Sequence, residues 1–146
     1  MMKRIFKTSL LISLLALFTI SCITEDQYIS NDVWTFAKEY DIGTKQYPWE
    51  YDEIDDLFYC DVYIKELTNQ VYNEGILAGY LVYYIDNKKV DSPLPYSDFF
   101  IDKYDYQWSY QYTCEFSPGR VTFIFRDSNY AVDSPPACTF LIKMMR

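Results

Sequence analysis

Between residues 104 and 116 apolar and polar side chains alternate without a break. Tyr104, Tyr106, Trp108, Tyr110, Tyr112, Cys114 and Phe116 fall on one side, and Asp105, Gln107, Ser109, Gln111, Thr113 and Glu115 on the other. A period of two is that of a β-strand with one apolar and one wet face; at helical spacing the same rings would scatter around the whole cylinder. Thirteen residues would span roughly 40 Å, more than the usual strand of about 3 to 10 residues. The strand must therefore bend, carry a bulge or overrun the core. Most of its rings are core by this reading, and the end from Tyr104 through Tyr106 to Trp108 is the one that offers exposed aromatics to a ligand or partner, because the other end runs into a tight turn.

The rest of the chain reads as the sheet around this strand. Residues 32–38 place Trp34 and Phe36 on one side and form a first strand, and residues 57–64, 96–101, 121–126 and 137–145 form others. Residues 76–85 are apolar on both faces, which predicts a central strand buried on each side. Gly79 within it marks the close approach of another backbone or a large ring. Residues 66–73 read as a short helical turn, with Leu67, Val71 and Tyr72 at helical spacing and Gly75 as a stop. Residues 86–89 make a turn, Pro93 and Pro95 put the start of the 96–101 strand at an edge, and Pro118 followed by Gly119 fits a type II turn. Residues 41–56 are irregular. About seven strands with turn signals at short intervals predict an all-β fold, a single antiparallel β-sandwich with one short helical turn, in either immunoglobulin-like or jelly-roll order.

The first residues follow a different grammar. Lys3, Arg4 and Lys7 precede an apolar run over 10–20, and Ser21 stands before Cys22. This is the pattern of a secretory signal, too short to remain as a membrane span of about 20 residues. The cysteine after Thr19, Ile20 and Ser21 resembles the lipobox of bacterial lipoproteins, with Thr19 where leucine is usual. That resemblance implies removal of residues 1–21, acylation of Cys22 and a membrane anchor, several acyl chains holding where one does not. Residues 22–31 then form a polar tether and residues 32–146 the domain. Glu25 and Asp26 are similar to the acidic signals that route Bacteroidetes lipoproteins to the outer cell surface; the alternative is an outer-membrane anchor facing the periplasm.

Charge narrows the partners. The whole chain carries −8, and removing a leader with three basic and no acidic residues takes it to −11. Such a surface repels nucleic acid and anionic membrane surfaces. Besides the acylated Cys22, Cys60, Cys114 and Cys138 remain, an odd number, each on an apolar face. They read as buried thiols, with one disulfide among them as the alternative. No zinc site is expected, since the cysteines lie on separate strands and the chain has no histidine. Nor does the acidic stretch Glu50, Asp52, Glu53, Asp55 and Asp56 follow a calcium-loop spacing; it reads as a solvated loop. Lack of histidine removes the common Ser-His-Asp and Cys-His arrangements, no glycine-rich phosphate loop is present, and crowded carboxylates in one loop do not flank a sugar ring. The chain is therefore read as non-enzymatic and without a cofactor.

The run LTNQVYNEGILAGYLVYY, then LPY, the aromatic strand, SPGRVTFIF and the closing CTFLIKMM resemble a family of small, uncharacterised Bacteroidetes lipoproteins across most of residues 33–146. The resemblance implies a β-sandwich behind a lipid anchor and carries no site residues. Two functions fit these readings. One is an accessory module that docks on an envelope protein through a strand edge or aromatic patch. The other is a glycan binder, for which three or more exposed coplanar rings among Tyr104, Tyr106, Trp108, Trp34, Tyr47 and Trp49 would speak.

Overall fold

The computed structural model describes residues 33–129 and 134–146; the predicted leader, Cys22 and the tether lie outside the described residues. Among these the chain forms β1 (Thr35–Ile42), β2 (Glu50–Asp52), β3 (Leu57–Tyr63), the short helix α1 (Asn69–Glu74), β4 (Ile76–Ile85), β5 (Lys88–Pro93), β6 (Tyr96–Ile101), β7 (Gln107–Ser117), β8 (Arg120–Asp127) and β9 (Cys138–Met145). The strands make two antiparallel sheets, one ordered β1-β9-β4-β5 and the other β2-β3-β8-β7-β6. This is the all-β sandwich that the alternating patterns predict. The first strand pairs with the last along its whole length, from Thr35 opposite Met145 to Ile42 opposite Cys138, so the order is not the ABED/CFG arrangement of immunoglobulin domains.

Between the sheets the core is largely aromatic. Phe123 of β8 and Phe140 of β9, both fully buried, stack across the interface with centroids 4.5 Å apart and planes at 25°. Phe125, Tyr112 and Tyr40 pack around them, and Ile42, Val62, Val121, Ile142 and Met144 complete the layer. The inward residues of β8 and β9 fall at every second position, as the sequence pattern requires.

Two strands escape the sequence reading. The pattern places residues 86–89 in a turn and gives 90–93 no element, because Lys88, Lys89, Asp91 and Ser92 lack an apolar period. What makes it a strand is a two-residue hairpin: Asp86 and Asn87 both have positive φ, 49° and 62°, the backbone that matches the twist of paired strands. β2 is a three-residue edge within the region read as irregular. The predicted alternating strand begins three residues later than its pattern, at Gln107. Its partner β6 ends at Ile101, opposite Gln107, and Asp102 Oδ1 draws the next residues into a loop by accepting the amides of Tyr104 at 2.7 Å and Tyr106 at 3.0 Å.

β4 is interior to its sheet, yet Ile76, Tyr84 and Ile85 are exposed, so it is not buried on both faces. Its apolar outward residues are covered in the middle only. Val82, and Leu141 beside it on β9, are buried there, and long charged side chains meet on the same face: Lys89 reaches across to Glu39 at 2.5 Å and pairs with Asp91 at 3.4 Å, while Lys143 pairs with Asp91 at 3.5 Å and lies over the Tyr80 ring. Aliphatic stems cover the apolar surface while the heads meet water. Gly79, expected to admit a backbone or ring, instead admits a sulfur: a Cβ there would lie 2.5 Å from Cys114 Sγ on β7. The helix matches its signals, with Thr68 Oγ1 capping the Val71 amide at 3.2 Å. Gly75 ends it because a Cβ would meet Val71 O at 2.5 Å and Met145 O at 2.9 Å.

Candidate binding site at the β6–β7 hairpin

The far end of the five-stranded sheet is the hairpin of β6 and β7. β6 alternates Tyr96, Asp98 and Phe100 toward the sandwich with Ser97, Phe99 and Ile101 away from it, as the pairing of Tyr96 with Tyr112 and Phe100 with Trp108 requires. Both faces of its last three residues are apolar. Phe99 is 82% exposed and Ile101 60%, and the loop that follows leaves Tyr104 77% and Tyr106 51% exposed. Four large apolar side chains, each more than half in water, thus occupy one hairpin tip.

Behind them runs a column of rings. Phe100 stacks on Trp108 at 5.4 Å and 18°, and Trp108 on Tyr106 at 6.2 Å and 27°. Phe100 also leans on Tyr110 at 4.9 Å, and Tyr110 on core Phe125 at 5.2 Å. The column is fixed at its outer end, where the Tyr106 hydroxyl donates to Asn129 Oδ1. The loop is closed by backbone bonds as well: Asp102 N–H donates to Tyr106 O at 3.0 Å and Asp105 N–H to Asp102 O at 3.1 Å, with Asp105 at φ 61°. Lys103 Nζ lies 4.9 Å from the Tyr104 ring centre.

Of the predicted site residues, Tyr104, Tyr106 and Trp108 do gather at this tip, but not as one strand face. Tyr106 and Trp108 belong to the ring column with Trp108 half-buried, whereas Tyr104 stands apart in the loop. Cys22 lies outside the described residues. The other rings proposed as a sugar platform are elsewhere. Tyr47 packs edge-on to Tyr40, and Trp49 sits against Phe125 and Phe140 with its Nε1–H donating to Pro136 O at 3.3 Å. Trp34 stacks on Phe36 at the start of β1, in the other sheet. Sequence reading missed Phe99, Phe100 and Ile101 as site residues. The signal was present: three consecutive apolar residues at the end of a strand already placed at an edge give apolar character to both its faces.

The remaining chemistry is structural. Cys60, Cys114 and Cys138 are free thiols. Burial pushes Cys60 up to about 11 and Cys114 and Cys138 up to about 12, with Asp61 and Glu115 adding to the first two. Thiolates are the reactive form, so these are poor nucleophiles near neutral pH. Burial likewise raises the Tyr112 hydroxyl, and its hydrogen bond to Asp98 raises Tyr96. In the acidic stretch, Asp52 accepts the Ile54 amide at 2.8 Å, Asp56 accepts the Tyr51 hydroxyl at 2.5 Å and Glu50 the Tyr59 hydroxyl at 2.9 Å. Among the described residues no three His, Cys, Asp or Glu side chains gather into a set that would hold a metal ion. The outward face of the five-stranded sheet holds two shallow polar depressions of about 320 Å³ each, with Asp55 and Arg126 lining both.

No family model matches this chain, and comparison with curated proteins and with solved structures finds no match.

Proposed function

We propose that this protein is a lipid-anchored β-sandwich of the bacterial cell envelope that acts as a non-catalytic interaction module, docking on an envelope protein through the β6–β7 hairpin. The observation that carries the reading is the exposure of Phe99, Ile101, Tyr104 and Tyr106 together at one tip. Scattered exposed apolar residues are ordinary, but four on the outward face and the loop of one hairpin tip, with Asp102, Lys103 and Asp105 among them, mark a contact surface. Aromatic anchors held by neighbouring rings are the residues that dominate protein interfaces. In this reading Cys22 carries the acyl chains, the domain faces the cell exterior from the outer membrane, and the strongly negative chain avoids nucleic acid.

The test is crosslinking on intact cells followed by recovery of the tagged full-length protein. One abundant envelope protein is expected, and its recovery falls at least tenfold when Tyr104, Tyr106 and Trp108 are replaced by Ala. Equal recovery with the triple variant overturns the assignment of the surface. Mass spectrometry of the mature N-terminus is expected to show Cys22 carrying a diacylglyceryl thioether and an N-acyl chain, and an unmodified Cys22 removes the anchor.

A second reading, glycan binding, is favoured by the near-parallel planes of Phe100, Trp108 and Tyr106. Only two of these three belong to the set of rings from which a sugar platform was expected, and Trp108 is half-buried. This reading gains the ground if no protein is recovered while binding to a polysaccharide panel is lost on replacing Tyr106 by Ala.

A further inference from the structure

We infer that the second half of β6, an outer edge of its sheet among the described residues, takes an extended segment of a partner protein as a sixth strand, and that this segment carries lysine or arginine flanking its apolar residues. The inference rests on the reading of the hairpin as a docking surface and names how it docks. Open edges are hazards that soluble sheets blunt with charge, proline, inward-facing charge or short length. Among the described residues three of the four edges are blunted in these ways. β2 is three residues long and two of them are acids. β5 carries Lys88, Lys89 and Asp91 and ends in Pro93. β1 has Lys38 and Glu39 at its middle, the first over the Tyr40 ring and the second paired with Lys89.

β6 is protected over its first half only, by Pro95 before it and by Asp98, whose carboxylate faces inward and accepts the Tyr96 hydroxyl at 2.9 Å. From Phe99 to Ile101 there is neither charge nor proline. This unprotected stretch coincides with the exposed apolar tip. A strand laid along it would gain backbone hydrogen bonds and contact Phe99 and Ile101 on one face and the rim of the ring column on the other.

Charge selects the occupant. Asp98, Asp102 and Asp105 surround the stretch, and the basic residue among them, Lys103, lies over the Tyr104 ring. A second copy is disfavoured: two β6 edges laid antiparallel about Phe100 would bring Asp98 of each copy to the acidic loop of Asp102 and Asp105 in the other, and like charges brought together destabilise a strand pair. A basic flank meets the same carboxylates with opposite sign.

The experiment uses the full chain in detergent micelles and three probes. The first is a ten-residue peptide of alternating valine and threonine flanked by lysines. The second has glutamates in place of lysines, and the third is the first with alternate backbone amides methylated along one edge, made in both registers. Titration and hydrogen exchange are expected to show at least tenfold tighter binding of the lysine-flanked peptide than of the glutamate-flanked one. They should also show slowed exchange confined to residues 96–101 and no binding of one methylated register. F99T/I101T, which keeps strand-favouring residues at exposed positions, is expected to weaken binding about tenfold without changing thermal stability. Undiminished binding of both methylated registers, protection at β1 or β5 instead, equal binding of the glutamate peptide, or no binding at all each overturns the inference. Protection of residues 96–101 that grows with protein concentration alone replaces the partner strand with a second copy. In cells, a partner lost with the Tyr104, Tyr106 and Trp108 substitutions but retained with F99T/I101T upholds the interaction module and removes the strand edge.

Discussion

The two sheets approach closely at Gly79, and this makes a sharp prediction. A methyl group there would sit 2.5 Å from Cys114 Sγ and 3.1 Å from Leu94 Cδ1, where ordinary contact begins at 3.4 Å. The backbone of Gly79 is not in the left-handed region, so alanine is free to adopt it and the cost of Gly79→Ala is steric alone. Overpacking of this kind costs about 1–3 kcal/mol. Cys114→Ala removes the obstructing sulfur and leaves a small void, costing about 1 kcal/mol on the large-to-small scale. In the double variant the new methyl occupies the space of the lost sulfur, and what remains is the few tenths of an ångström that Leu94 must yield. The double variant is therefore expected to be more stable than G79A and to show a coupling of at least about 1 kcal/mol, within the range measured for residues in contact. Urea unfolding followed by tryptophan fluorescence reads all four corners of the cycle. A G79A variant within about 0.5 kcal/mol of the parent, or additive single effects, would refute the packing argument. The contact matters for the site because Leu94 N–H also donates to Gly79 O at 2.9 Å, pinning the crossover from which β6 departs.

Phe123→Ala, which empties one half of the stacked pair at the sandwich centre, is expected to cost about 3–5 kcal/mol in the same urea assay. Asp102→Ala leaves the Tyr104 and Tyr106 amides without their acceptor; a stability loss of about 1 kcal/mol is expected, with faster hydrogen exchange limited to the loop 102–106. The three thiols should resist iodoacetamide at pH 8 in the folded chain and react once it is unfolded in urea. Folded thiols keep their protons up to about 11 or 12, whereas unfolded ones lose them near 9.0. Their contribution to stability is accordingly complete below about pH 9 and falls as pH rises toward 12. A midpoint of urea unfolding that does not decline between pH 9 and pH 11 contradicts this.

The elements that were legible in the sequence are those with an apolar residue at every second position. β7, β8 and β9 carry such a row because that face meets the other sheet, although Ile124 and Leu141 on the opposite faces are buried as well. β5 was not legible because its two faces are both partly wet and its pairing is set by the backbone of Asp86 and Asn87 rather than by apolar residues. The pattern of β7 also outran the strand itself. Alternation reports which side chains are apolar, but a strand ends where its hydrogen-bonding partner ends, and that is decided by Asp102, a residue outside the alternating stretch. At the site, Tyr104, Tyr106 and Trp108 were legible as the end left over by a core too short for the pattern. Phe99 and Ile101 were not singled out although the prolines already place that strand at an edge, because a run of three apolar residues does not say which of them the core covers; pairing with β7 turns Phe100 inward and leaves Phe99 and Ile101 outside.

The rings connect these two levels. From Phe125 in the core the contacts pass to Tyr110, Phe100, Trp108 and Tyr106, each within 6.2 Å of the next. The outermost ring is then tied back to Asn129. An exposed aromatic that already has stacked neighbours and a fixed hydroxyl loses little freedom on binding, and preorganisation of that kind is a large part of what separates a strong contact from a weak one of equal area. Among the described residues the Tyr104 ring has no stacked neighbour, only Lys103 Nζ over it. If the tip works as a protein contact, Tyr106→Ala should weaken it far more than Tyr104→Ala although Tyr104 is the more exposed ring, because the first removes a braced anchor and the second a side chain whose ordering must be paid for at binding.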